Sequence, residues 1–435
     1  MIAWMIAALA WAGPDYVADA KAAIAAKEPD RARALLEACL VADPAAAACA
    51  WELGWVHWGR NDWQAVADAW RKVEAIDPAY PDLQKFMPHA VGQAQALKAA
   101  KAILAQQAAR PAATGGTLRI RAVGDIMMGT DFPAGYLPPD AGASAFAGVK
   151  PWLLDADLTF GNLEGPLCDG GTTTKCGEGG NCYAFRTPTA YGKWLTDAGF
   201  DLASTANNHA EDFGQRCRLQ TEETLKKLGI AYSGRPGTTA TIEKNGLRIG
   251  MIGFHTNPNS HYVNDLESAK SLVAALAATH DIVIVSFHGG GEGRSATHVK
   301  AGHEIFLGED RGDLRAFART VIAAGADLVL GHGPHVPRGM EIVDGRLVAY
   351  SLGNFSTYGR FNLSGDLATS LVLEATLDAT GKLVSGKILP VHQDGEGIPV
   401  VDATNRAITL IRELDAVDFP QTAPVIADDG TFRPR

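Results

Sequence analysis

Leu328-Val329-Leu330-Gly331-His332-Gly333-Pro334-His335 decides the reading of this 435-residue chain. An apolar run of strand length stops on two histidines that bracket a Gly-Pro turn, so a buried strand ends on imidazole. The same pattern recurs upstream. Leu118–Asp125 ends in Gly124-Asp125, Asp157–Glu164 in Asn162-Leu163-Glu164, and Leu202–His209 in Asn207-Asn208-His209. Leu247–His255 is a further such run, and Ile282–His288 leads into Gly289-Gly290-Gly291-Glu292. Amphipathic helical segments separate these runs up to about residue 415, which marks an α/β domain over 117–415. In open α/β sheets, ligands gather outside the carboxyl ends of the strands, so the polar groups should meet in one crevice.

Each group has a plain alternative on its own. Asp125 could cap a helix, Asn207-Asn208 could form a turn, and a single His288 is more often a hydrogen-bonded core residue. Five such endings, Leu247–His255 left aside, point instead to a shared site. Carboxylate, amide oxygen and imidazole together suit a borderline divalent ion such as Mn, Zn, Fe or Ni.

Taken together, Ala122-Val123-Gly124-Asp125, Asn162-Leu163-Glu164-Gly165, Phe185-Arg186-Thr187-Pro188 and Ala206-Asn207-Asn208-His209 carry a resemblance. His288 with Glu292, Gly331-His332-Gly333-Pro334-His335-Val336 and Tyr350-Ser351-Leu352-Gly353-Asn354-Phe355 complete it, in order, over roughly residues 117–360. The chain resembles the CapA-type poly-γ-glutamate capsule-synthesis proteins of the calcineurin-like metallophosphatase superfamily. That resemblance implies a four-layer α/β/β/α metallophosphatase-like domain and a centre for one or two divalent ions. It implies Asp125 and His335 on a first metal, Glu164 as the bridge, and Asn208, His288 and His332 on a second. His209 would be the catalytic general acid. Three departures stand out: Met127 replaces the usual imidazole of an Asp-x-His motif, His332 and His335 are separated by two residues instead of one, and Ala210 follows Asn208-His209 with the acids Glu211 and Asp212 displaced beyond it.

Arg186 is a candidate for binding a substrate carboxylate or phosphate bidentately, against the alternative of a structural ion pair. Glu292 is a second candidate, either as a support for a ligand histidine or in direct contact. The implied function is metal-dependent hydrolysis of a phosphoester or amide bond linked to a cell-surface polymer. The competing reading is a non-catalytic assembly protein that binds polymer and docks partners.

Residues 15–108 differ in character, being rich in Ala, Leu, Glu and Lys. Asp43-Pro44 and Asp77-Pro78 lie 34 residues apart, the period of a tetratricopeptide helix pair. With Leu53-Gly54 for close packing and Trp70 as a bulky lock, a small all-α tetratricopeptide-like domain is expected, offering a surface for a protein partner. A linker over 109–116 and a tail over 416–435 frame the α/β domain.

Asp plus Glu number 49 against 39 Lys plus Arg, giving a formal charge of −10. No basic run reverses that sign locally, so nucleic acid is excluded as a first-choice partner. The expected partner is an anionic cell-surface polymer or its phosphoester precursor. Residues 1–12 read as a signal peptide, too short for a spanning helix of about 20 residues. Export to the periplasm or cell surface, with no transmembrane segment in the mature chain, follows. Six cysteines suit that compartment as disulfides. A bond among Cys168, Cys176, Cys182 and Cys217 should clamp the loop after Glu164, with the pairing open.

Overall fold

A computed structural model describes residues 15–106, 110, 116–173, 175–176 and 183–435. The expected signal peptide lies outside them, as does Cys182. Two compact units divide the chain, Met1–Gln95 and Ala96–Arg435.

The first unit consists of helical hairpins. Tyr16–Ala25 pairs with Pro29–Ala42, Ala47–Trp58 pairs with Trp63–Ile76, and Leu83 opens the next helix. Asp15 and Asp62 cap their helices by accepting the backbone N–H three residues on. Asp43 and Asp77 end helices in the same extended conformation, and each accepts the N–H of the residue two further on at 3.0 Å. The 34-residue spacing is therefore a structural repeat. A Cβ on Gly54 would run into the indole of Trp70, which is fully buried and donates its ring N–H to Trp51 O at 3.2 Å. Trp51 stacks on it, Trp55 meets it edge-on and Trp58 at a tilt, and Phe86 packs edge-on against Trp55.

The second unit is a sandwich of two sheets. One has ten strands, with Leu118–Met127 at its centre between Leu158–Leu163 and Thr369–Leu377. The other has seven, with Leu247–His255, Ile282–His288 and Leu328–His332 parallel and adjacent. Ile120 and Phe160 from the first sheet meet Ile249, Ile284 and Leu330 from the second in an inner core. The outer face of the second sheet is covered by Leu266–Ala277 and Leu314–Ala323, helices started by the side-chain caps of Asp265 and Asp313. Lys150–Leu154, Lys193–Asp197 and Gly214–Lys227 cover the outer face of the first. The layers are thus α/β/β/α, as expected.

Both boundaries of this unit move. The division falls inside the helix Leu83–Ala105, whose Leu97, Ala100 and Ile103 join the core outside the second sheet. Of the expected linker only residues 110 and 116 are described, and the Arg110 guanidinium pairs with the buried carboxylate of Asp327. The expected tail is structural as well. The Arg406–Asp418 helix buries Ile408 and Ile411, and Thr431–Arg433 pairs with Leu383–Asp394, placing Phe432 between the sheets.

No described cysteine is free. Cys39 bonds to Cys49, and Cys168 bonds to Cys217 with Cα atoms 5.2 Å apart, tying the loop after Glu164 to the helix Gly214–Lys227. By restricting the unfolded chain, such a bond stabilises by roughly 2–4 kcal/mol. Among the described residues, no helix is long and apolar enough to cross a membrane.

Candidate metal centre

Three parallel neighbours of the second sheet end level with one another on imidazole. His332 stands in register with His288, and His288 with His255. Side chains at one register of a parallel sheet share a face, so the three rings form a row. The first sheet supplies the facing groups. A bulge at Gly124–Asp125 breaks the ladder where Asp125 turns inward. A Cβ at Gly124 would strike Gly353 O, so only glycine lets the two segments approach there.

Asp125 and Glu164 are fully buried. His335 Nδ1 lies 3.0 Å from Asp125 Oδ2, and its Nε2 lies 3.8 Å from Glu164 Oε1. His332 Nδ1 approaches Asp125 Oδ1 at 3.5 Å, and His288 Nε2 approaches Glu164 Oε1 at 3.3 Å. His209 Nε2 is 3.9 Å from the same Glu164 oxygen. One ligand atom each from Asp125, Glu164 and His335 fall within 4.8 Å of one another. The two-residue spacer before His335 is absorbed by backbone rotation: Gly333 has φ 111° and His335 has φ 60°. A left-handed histidine is strained by roughly 1–2 kcal/mol, a cost sustained only where the surroundings impose it.

The donor set fits a divalent ion. Glu164 Oε2, Asn208 Oδ1, His288 Nδ1 and both ring nitrogens of His332 are buried without a hydrogen-bond partner. Buried polar atoms are normally paired, so this many orphans in one place marks a position for a cation. The electrostatics agree. Burial pushes the Glu164 carboxyl well up, and the charge of Asp125 pushes it further. Burial would raise Asp125 too, but the adjoining imidazoles of His332 and His335 outweigh it and hold that carboxyl below its ordinary range. His335 is driven the other way. Burial opposes its charge, yet Glu164 and Asp125 together lift it to about 10. Two desolvated carboxylates therefore compete for positive charge. His288 is held well below its ordinary value, by burial first and then by His255, and so is neutral as a metal ligand must be.

Supporting groups surround the ligands. Asn162 Nδ2 donates to Asp125 Oδ1 at 2.8 Å, and His335 Nδ1 lies 3.0 Å from Asn354 Oδ1. Asn207 donates to Leu163 O at 3.0 Å and accepts the His209 N–H at 3.1 Å, which fixes the turn carrying Asn208 and His209. His209 Nδ1 is 2.7 Å from Asp212 Oδ2, so Asp212 orients the ring. Lys175, from the disulfide-tied loop, reaches Asp212 Oδ1 at 2.6 Å and His209 Nδ1 at 3.2 Å. Burial lowers the His209 pKa, Asp212 pulls it back, and Lys175 lowers it again. Met127 is buried beside Gly165 and brings no donor.

A cavity of about 1060 Å³ opens beside this centre, lined by Asn208, His209, His335 and Glu292 and by the cations Lys175, Arg311 and Arg360. Of the predicted ligand residues Asn208 and His335 line it, and so does Glu292, whose carboxylate lies 3.0 Å from Arg311 Nη2. Arg186 takes its plainer alternative: it pairs with Asp131 at 2.6 Å, donates to Gly171 O, and stacks on Phe213 outside the cavity lining. Sequence reasoning assigned no part to Asn162, Asn207, Asn354, Lys175 or His255. Three of these are amides that stand inside the strand-end motifs themselves, and that position is the signal that could have found them.

The match to the family model described as bacterial capsule synthesis protein PGA_cap runs over residues 119–358, more than half of the chain and every candidate ligand position above. The chain is 25% identical over 303 residues to the capsule biosynthesis protein CapA of Bacillus anthracis, covering 66% of this chain and 71% of that one. It is 26% identical over 310 residues to the PGA biosynthesis protein CapA of Bacillus subtilis (strain 168), covering 67% and 76%. Among solved structures, purple acid phosphatase PPD1 from yellow lupin superposes over 68% of this chain and 56% of its own at 10% identity. The TM-score is 0.34. With its motifs in order and its strand-end residues gathered at one centre, the chain belongs to the bacterial capsule synthesis protein PGA_cap family.

Proposed function

We propose that this protein is an exported, metal-dependent hydrolase acting on a phosphoester or amide bond in the synthesis of capsular poly-γ-glutamate. The observation that carries the reading is the knot of orphaned, fully buried donors around Glu164, beside a cavity lined with cations. The names of the two Bacillus relatives support the capsule and polymer assignment. The disulfides and the apolar N-terminus support export. The paired helices with their 34-residue repeat support a tetratricopeptide-like surface for a protein partner.

Asp125, Glu164, Asn208, His288, His332 and His335 would hold the divalent ion or ions. Such an ion supplies a Lewis acid that polarises the scissile group and makes water a competent nucleophile near neutral pH. The chain does the rest. His209, oriented by Asp212, holds a proton at Nε2 for the leaving group. Lys175, Arg311 and Arg360 attract anionic substrate into the cavity. The dry floor around Glu164 and His288 strengthens each of these interactions.

The test is hydrolysis by the purified full chain of a nitrophenyl phosphodiester and of poly-γ-glutamate, after chelation and after restoring Mn or Zn. Metal-dependent turnover of either substrate is the expected result. A fully metallated chain that turns over neither would transfer the site to the assembly-protein reading.

A further inference from the structure

One buried side chain at the cavity remains unused by this chemistry. His255 is 3% exposed, lines the cavity, and ends its strand in register with His288. The two rings meet edge to face with centroids 5.3 Å apart. The tautomer of His255 follows from its surroundings. The backbone N–H of Asn257 donates to His255 Nδ1 at 3.2 Å, so Nδ1 is the acceptor and the ring proton sits on Nε2. That Nε2–H is buried with no hydrogen-bond partner. Asn259 stands beside the ring, and its side-chain oxygen accepts from Ser260 Oγ at 3.4 Å.

Such a nitrogen is unsuited to a metal, because a ligand imidazole must offer a lone pair where His255 presents a proton. Nor can His288 accept that proton once it serves as a ligand. Its remaining ring nitrogen then carries a hydrogen of its own. The partner that fits is an acceptor entering from the cavity, where Arg311 also lies.

We propose that His255 is a substrate-contact residue whose Nε2–H donates to an anionic oxygen, phosphoryl or carboxylate, of a substrate bound at the neighbouring centre. This rests on the hydrolase reading above for the position of the substrate. It extends the row of imidazoles by a ring that binds substrate instead of metal. A hydrogen bond to a charged oxygen in a desolvated site changes affinity by about 10- to 100-fold.

The experiment compares the full-length wild type with His255→Leu and His255→Gln, the second keeping an N–H donor near the Nε2 position. Bound metal is counted by elemental analysis, and titration calorimetry measures inorganic phosphate and glutarate binding with and without added Mn. The proposal expects His255→Leu to keep wild-type metal content while weakening at least one anion by 10-fold or more. His255→Gln should recover a large part of that loss. The anion more affected identifies phosphoryl or carboxylate as the partner. Equal anion affinities in wild type and His255→Leu, or no measurable anion binding by wild type, would overturn it. So would a fall in metal content confined to His255→Leu, which would make His255 a ligand. A wild type that takes up no metal would instead defeat the hydrolase reading, and the metal-free titrations would still decide the role of His255.

Discussion

Replacing Glu164 by Gln should abolish metal-dependent activity while leaving the metal-free fold at least as stable as the wild type. The side chain is fully buried between Asp125, His288 and His335, and its carboxyl is pushed well up, by burial above all. A carboxyl whose folded pKa is raised contributes stability below its unfolded value, and that contribution is lost as pH rises through the folded value. At neutral pH, where the carboxyl of the unfolded chain is ionised, the raised folded value therefore costs stability in the metal-free protein, and an isosteric neutral amide removes the cost. With metal present the order reverses. Wild type gains stability as RT ln(1 + [M]/Kd), and Glu164→Gln loses most of that gain along with a bridging anion. Turnover should fall by about 10³-fold or more, equal to several kcal/mol of transition-state stabilisation. Thermal unfolding with and without Mn checks the sign. A variant less stable than wild type without metal, yet equally stabilised by it, would remove Glu164 from the centre.

His209→Ala should leave bound metal unchanged and slow turnover by about 10²- to 10⁴-fold, the usual contribution of a positioned proton donor. Asn208→Ala, one residue earlier, should lower metal content and activity together. A substrate with a very good leaving group should restore part of the His209→Ala loss, since it needs little protonation. The pH profile carries a signed expectation. Burial holds His209 below its ordinary value, so activity toward a poor leaving group should fall as pH rises through the acidic range. Lys175 sits 3.2 Å from His209 Nδ1 and lowers that pKa further, so Lys175→Met should move the falling limb to higher pH. A limb unmoved by Lys175→Met, with His209→Ala as active as wild type, would make His209 structural.

The layer architecture was legible because buried strands are uninterrupted apolar runs and the covering helices alternate with them. The candidate site was legible because each of those runs stops on a group that cannot stay buried unpaired. The resemblance then assigned roles that spacing alone left open. Three features escaped for physical reasons. From Gln93 to Ala105 the Ala-rich sequence is uniformly helix-forming, so nothing in it marks the division after Gln95. The polar Ala427-Asp428-Asp429-Gly430 reads as a solvated tail, while one aromatic two residues on, Phe432, anchors it between the sheets. Lys175 and His255 depend on tertiary closure. Lys175 reaches His209 from a loop tied back by the Cys168–Cys217 bond, and His255 gains meaning only when its strand lies in register with that of His288. Arg186 shows the opposite failure, a strand-adjacent arginine that suits anion binding in sequence but is spent on Asp131 in the fold.

The most direct measurement is anomalous diffraction from crystals of the full-length protein grown with Mn, recorded where its anomalous signal is strong. This account predicts a peak enclosed by Asp125, Glu164 and His335, with Asn208, His288 and His332 within ligand reach of it or of a second peak sharing Glu164. Well-ordered density for these side chains with no anomalous peak among them, at a Mn concentration that occupies other sites, would contradict it.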